Sequence, residues 1–244
     1  MMKTLEFAKR CGAELLRDPL TLIFGLGFPL ILLLLLSAIQ SNVPVPLFEI
    51  ETLTPGVTVF GLSFMTLFSA TLVAKDRESA FLQRLYTTPL TSTDFIVGYL
   101  LPLLPIAVTQ SALCYVAATF LGLSISVNIL YAVLFSLPGA VFYVALGLLF
   151  GSVCSVKQVG GICGALLTNL SAWLSGVWFD LELVGETFHK VANLLPFVHM
   201  VELERDILAG RFAAARPHLF PILAYATLTA AGGVWLFLRQ MKKQ

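Results

Sequence analysis

The chain has 244 residues, of which 58% are hydrophobic and 12% charged, with a net charge of +1. A water-soluble core cannot absorb that much apolar surface, whereas a bilayer can. The basic residues are dispersed rather than gathered into a stripe, which excludes a nucleic-acid-binding surface.

The apolar residues fall into six runs of about 20, the length at which a helix crosses a hydrocarbon layer of about 30 Å. They cover approximately 20–39, 55–74, 95–121, 129–150, 159–179 and 219–238. Backbone groups in hydrocarbon have no water to bond, so each run is expected to be helical; the alternating segments of a membrane barrel are absent. The expected fold is all-α: a polytopic membrane protein with six transmembrane helices in one domain over 1–244.

Residues 1–19 read as an amphipathic helix in the membrane interface. Leu5, Ala8, Gly12, Leu15 and Leu16 lie on one face and Lys3, Glu6, Arg10, Glu14 and Arg17 on the other. Glu6, Glu14 and Asp18 precede the first run, which lacks a small-x-small cleavage site, so the run is expected to stay as an anchor. Gly25 and Gly27 allow close helix approach there. Thr54, Pro55 and Gly56 suggest the start of the second helix. Within it Phe60, Phe64 and Phe68 form an aromatic stripe, which either lines a path for an amphiphile or packs on a neighbour.

The loop 75–94 begins with a charged collar, Lys75, Asp76, Arg77 and Glu78. Phe81, Leu82 and Leu85 then share one face of a short helix that Pro89 ends, and Thr91 to Asp94 offer a cap for the third span. Pro102 and Pro105 should bend that span. The fourth carries Gly147-x-x-x-Gly151, a close-packing pattern, and Gly160, Gly161 and Gly164 open the fifth. Asn169 is expected in mid-membrane, four residues before Trp173, where it bonds across helices or touches cargo.

Segment 180–217 is too polar to span and reads as a helical hairpin, 183–195 and 197–211, broken at Pro196. Its apolar residues, among them Leu194, Phe197 and Met200, suggest that it dips into the outer leaflet or caps a cavity. His189 and His199 do not match metal-ligand spacing and read as ordinary interface histidines. Cys11, Cys114, Cys154 and Cys163 read as small apolar packers, so neither a disulfide nor a metal site is expected.

Eleven of the fifteen basic residues flank one side: Lys3, Lys9, Arg10, Arg17, Lys75, Arg77, Arg84, Lys157, Arg239, Lys242 and Lys243. The positive-inside rule therefore places both termini and the 75–94 loop in the cytoplasm and the 180–217 hairpin outside. No GxxxxGK[ST], HExxH or GxSxG occurs, and the runs hold almost no ionisable groups. This argues against a self-sufficient pump, a coupled carrier and a membrane hydrolase.

The order of parts resembles the ABC transporter permeases of the type-2 exporter class. An amphipathic helix leads into the first span, TPG (Thr54 to Gly56) opens the second, and DRE with downstream RL and TPL (Asp76 to Glu78, Arg84, Leu85, Thr88 to Leu90) fills the first inner loop. LLPFVHMVELERDILAG (Leu194 to Gly210) looks like that family's outer hairpin signature; Tyr86 and Thr87 are bulkier than the family's usual link.

The resemblance implies a permease subunit of an ATP-driven exporter in a bacterial-type plasma or inner membrane. It also implies a second permease chain, as a homodimer, surrounding membrane lipid and two copies of a separate ABC ATPase. ATP and Mg would be bound by that ATPase, with no cofactor in this chain. ATPase coupling would fall to Asp76, Arg77, Glu78, Phe81, Leu82, Arg84, Leu85, Thr88 and Pro89. Phe60, Phe64, Phe68, Asn169 and Trp173 would line the path of a drug, lipid or lipid-linked compound. A non-transporting scaffold or sensor, or a lipid-modifying enzyme, are the alternatives; a copurifying ABC ATPase would separate the permease from both.

Overall fold

Long apolar runs satisfy their backbone internally, and no strand occurs among the residues that this computed structural model describes, 2–43, 48–79 and 91–241. In chain order, the helices are α1 (Met2–Arg17), α2 (Ile23–Gln40), α3 (Ile50–Glu78), α4 (Ser92–Phe120), α5 (Val127–Val153), α6 (156–174), α7 (Glu186–Leu194), α8 (Pro196–Leu208) and α9 (Phe212–Met241). Of these, α2, α3, α4, α5 and α9 are long and apolar enough to cross a membrane.

The remaining predicted span is broken up. α6 is regular only over Val156–Val159 and Thr168–Leu174; Gly160–Leu167 between them has the wider π geometry, and the helix stops at Leu174 instead of reaching 179. At Gly160 and Gly161 no atom lies within 4 Å of a would-be Cβ, whereas Cys163 is fully buried and Gly164 faces Leu67 of α3. The first turns of α2, Ile23–Gly27, are also π and also contain two glycines.

α3 is the hub of the bundle: 89% of its apolar window is buried, against 17% for both α2 and α9. Its hydroxyls explain how a polar-speckled helix tolerates that position. Thr58 Oγ1 and Ser63 Oγ donate back to carbonyls of α3, while Thr66 Oγ1 and Ser69 Oγ donate across to the Tyr143 and Val144 carbonyls of α5, each at 2.9 Å. The crossing is this close because Gly147 and Gly151 present no side chain to α3.

Three local expectations are corrected. α3 starts at Ile50, with the Glu49 carbonyl accepting from the Thr52 and Leu53 amides, so Pro55 lies inside the helix rather than at its start. The buried face of α1 is Phe7, Ala8, Cys11 and Leu15; Leu5 and Leu16 are 49% and 58% exposed. The apolar sector of α1 is wider than its contact with the protein, so composition alone could not locate the seam. The hairpin helices run Glu186–Leu194 and Pro196–Leu208, shorter than expected, although the break does fall at Pro196. The kink in α4 also falls where its prolines put it, with a turn at Leu101 and Pro102 between Ser92–Leu100 and Leu103–Phe120.

Candidate functional site

The charged end of α3 is where most elements meet. α1 lies across the start of α4: Phe7 packs edge-on against Phe95 and Tyr99, and Gly98 leaves room for the Phe7 ring. Thr91 caps α4, its side chain accepting from the Asp94 amide while Asp94 Oδ2 accepts from the Thr91 amide; Thr4 of α1 donates to the same carboxylate. Those contacts bring Arg10 of α1 over the end of α3.

Asp76, Arg77 and Glu78 then point three ways. Arg10 makes a two-pronged pair with Asp76, Nη1 to Oδ2 at 2.5 Å and Nη2 to Oδ1 at 2.7 Å, and the Tyr99 hydroxyl of α4 donates to Oδ2 at 2.9 Å. Arg77 Nη1 and Nη2 donate to the Ser152 and Cys154 carbonyls, at the C-terminal end of α5 where a cation is electrostatically favoured. Glu78 Oε1 accepts from the Val156 amide at the start of α6, at 3.0 Å. Three consecutive side chains thus fasten α3 to α1, α4, α5 and α6.

The electrostatics suit a fixed joint. Burial works against the charge on Arg10, but the hydrogen bond and charge of Asp76 outweigh it and raise the guanidinium further above its ordinary range. Burial pushes the neighbouring Cys11 thiol up to about 12, so it stays an uncharged packing group. The predicted coupling residues Phe81, Leu82, Arg84, Leu85, Thr88 and Pro89 lie outside the described residues.

The five predicted path residues divide into two sets. Phe60, Phe64 and Phe68 are buried: Phe60 packs at a tilt and Phe64 edge-on against Phe28 of α2, Phe24 adds to Phe64, Trp178 closes on Phe60, and Phe68 sits against Gly25. Asn169 and Trp173 are exposed on α6, with Asn169 Nδ2 bonded to the Ala165 carbonyl one turn back. The structure does not bring the two sets onto one surface of the single chain.

At the opposite end of the bundle α8 is tied down from several sides. Arg205 donates to the Thr52 carbonyl of α3, to the Gly176 carbonyl after α6 and to Glu202. Sequence reading missed its neighbour Glu204, a carboxyl 1% exposed whose Oε2 accepts from the Tyr115 hydroxyl of α4 at 2.7 Å. The only cue was a Glu on the apolar side of an amphipathic helix.

Burial raises the Glu204 carboxyl to about 8, partly offset by the Tyr115 bond. A carboxyl raised on folding stabilises fully below its unfolded value of about 4.3, and that stability is lost as pH rises through the folded value. Wild-type protein is therefore expected to lose stability from about pH 4.3 to about pH 8, whereas Glu204→Gln, which keeps the acceptor, flattens that slope. Thermal melting across pH in detergent checks this; identical slopes in the two proteins would refute it.

A bundle of long apolar helices around a buried, hydroxyl-lined central helix, knotted at one end by charge, is the architecture of a polytopic membrane protein. The chain belongs to the ABC-2 type transporter family, whose membrane-domain pattern matches residues 4–209. It is thus an ABC transporter permease, in a transport family rather than an enzyme family. It is 26% identical over 232 residues to Nodulation protein J of Bradyrhizobium diazoefficiens, covering 93% of this chain and 85% of that one. It is also 23% identical over 214 residues to the probable multidrug ABC transporter permease YbhR of Escherichia coli K12, covering 83% of this chain and 55% of YbhR. The chain therefore spans about half the length of the second relative. No solved structure matches it significantly.

Proposed function

We propose that this chain is the membrane subunit of an ATP-driven exporter, moving an amphiphilic drug, lipid or lipid-linked compound outward by alternating access. A separate ABC ATPase docks on the 75–94 loop, including Phe81, Leu82, Arg84, Leu85, Thr88 and Pro89, and supplies ATP and Mg chemistry. Six spans, with α6 as the fifth, put both termini in the cytoplasm and the α7–α8 hairpin outside, in agreement with the distribution of Lys and Arg. The exposed Leu5 and Leu16 of α1 then lie in the inner interface.

The observation that carries this reading is the fan of Asp76, Arg77 and Glu78 immediately before the loop. A push on the loop reaches these side chains first, and they deliver it to α1, α4, α5 and α6 together. The energy acts only as a difference between two arrangements of those helices. For the path, Trp173 and Asn169 offer an exposed surface that a second permease copy would cover, and Phe60, Phe64 and Phe68 join it when α2 moves aside. The π turns Ile23–Gly27 put irregular backbone in α2 beside that stripe.

Arg77→Ala together with Glu78→Ala tests the reading in the reconstituted complex. Substrate-stimulated ATPase activity and transport are both expected to fall by about tenfold, a typical coupling loss, with the melting temperature measured alongside to separate uncoupling from unfolding. Normal ATPase association together with normal transport would remove the coupling role.

A further inference from the structure

The chain contains only three histidines, and all three meet at the hairpin end of the bundle. His189 is on α7, His199 on α8 and His218 near the start of α9, so three elements contribute one each. Asn193, which closes α7, links them. Its side-chain Nδ2 lies 3.0 Å from His189 Nε2 and donates to the His189 carbonyl at 2.9 Å. Its own carbonyl lies 2.9 Å from His199 Nε2, and His199 Nδ1 lies 2.9 Å from His218 Nδ1.

This arrangement dictates where the protons sit. A carbonyl only accepts, so His199 Nε2 carries the proton, and the neutral ring then has a lone pair at Nδ1. His218 Nδ1 must supply the hydrogen between the two rings. One added proton leaves that bond intact, strengthened by charge, because the ring that stays neutral can offer its Nδ1 lone pair to the other's N–H. A second proton makes both Nδ1 atoms N–H donors, which then confront each other at 2.9 Å.

We propose that His199 and His218 form a proton-binding latch that holds the start of α9 against the α7–α8 hairpin and releases it when both rings become charged. The groups facing the pair set the balance. Glu202, one turn along α8, favours the charged ring, but Arg205 already holds that carboxylate at 2.8 Å. From α7 come only the Asn193 carbonyl and side chain and His189; Lys190 and Glu186 pair with each other in the open. From α9 come His218 and, two residues earlier, the exposed Arg216, which opposes further charge. Burial, the first of these influences, and the His218 charge keep His199 below its ordinary value.

The sign follows. A histidine lowered on folding stabilises fully above its unfolded value of about 6.5, and that stability is lost as pH falls below it toward the folded value. Acid therefore opens the latch, opposite in direction to the Glu204 effect. His189 and Asn193, at the α7 end of this chain of contacts, also wall a cavity of about 370 Å³ with Trp178, Glu202 and Arg205. The latch stands on this geometry alone and is independent of the ATPase-coupled reading.

With three histidines, histidine-selective ¹⁵N labelling of the full chain in detergent resolves each ring, and single substitutions assign them. His199 is expected to show a midpoint below about 6.5. In His218→Asn that midpoint rises toward about 6.5, because the charged neighbour is gone. Asparagine there donates to neutral His199 and, with its amide turned, accepts from the charged ring, so hydrogen exchange at the start of α9 no longer quickens in acid beyond its intrinsic rate. A His199 midpoint at or above about 6.5 in the wild-type chain, or one unmoved by His218→Asn, would overturn the latch; so would equal acid-induced exchange in both proteins.

Discussion

Replacing Asp76 with alanine costs about 3 kcal/mol of stability, the lower end of the range for breaking a buried ion pair by removing one partner. The lower end applies because the Arg10 side chain is 35% exposed, although that of Asp76 is only 3% exposed. Two groups lose by the change. The fully buried Tyr99 hydroxyl loses its acceptor, and the Arg10 guanidinium loses its two-pronged partner while its partly exposed pair with Glu14 remains. Asp76→Asn retains an acceptor for Tyr99 and falls between wild type and alanine. Arg10→Met combined with Asp76→Leu recovers the share of the loss due to the unpaired guanidinium, since an apolar pair carries no desolvation cost, but not the share due to the Tyr99 hydroxyl. Thermal melting of the four proteins in one detergent decides the matter, and a wild-type melting temperature for Asp76→Ala would contradict the joint described above.

The second large effect is at the α3–α5 crossing. A Cβ at Gly147 would lie 2.4 Å from Ser69 Cβ and 2.6 Å from the Thr66 carbonyl oxygen; at Gly151 it would lie 2.7 Å from the Ala70 carbonyl oxygen. Backbone atoms cannot rotate aside, so even alanine forces the helices apart. Separation also stretches the Thr66–Tyr143 and Ser69–Val144 hydrogen bonds. Overpacking of about 1–3 kcal/mol, plus about 0.6 kcal/mol for each interhelical bond, makes Gly147→Ala and Gly151→Ala severe. The control lies in the same chain: Gly160→Ala and Gly161→Ala meet open space and are expected to be tolerated. Monodispersity and melting of the four variants compare them directly, and a well-behaved Gly147→Ala would refute the close crossing.

Features that depend on near neighbours in sequence were legible before the structure. Runs of apolar residues located α2 to α5 and α9, prolines located the breaks in α4 and before α8, and Thr91 to Asp94 located a cap. Gly147 and Gly151 were legible as a close contact, though not which helix they touch. What escaped depends on partners far along the chain. Tyr115 and Glu204 are 89 residues apart, Arg10 and Asp76 are 66 apart, and the histidines meet only because α7, α8 and α9 converge. Leucine suits lipid and protein equally, so the seam of α1 was set by Gly98 and Tyr99 rather than by its own pattern. The π geometry in α6 escaped as well: its glycines permit it without requiring it, and nothing in the local pattern marks it.

The central position of α3 has a mechanical consequence. This helix of 29 residues is about 43 Å long at 1.5 Å per residue, and it is gripped at both extremities. Arg205 holds the Thr52 carbonyl near one extremity, and Asp76, Arg77 and Glu78 anchor the other. Between those grips α3 is surrounded by its own chain and locked against α5 by the glycine crossing and the Thr66 and Ser69 hydrogen bonds, so it has no room to swing sideways. It therefore ties the Arg205 end of the bundle to the Asp76–Glu78 end through one continuous helix, interrupted only where Pro55 removes an amide from the backbone ladder.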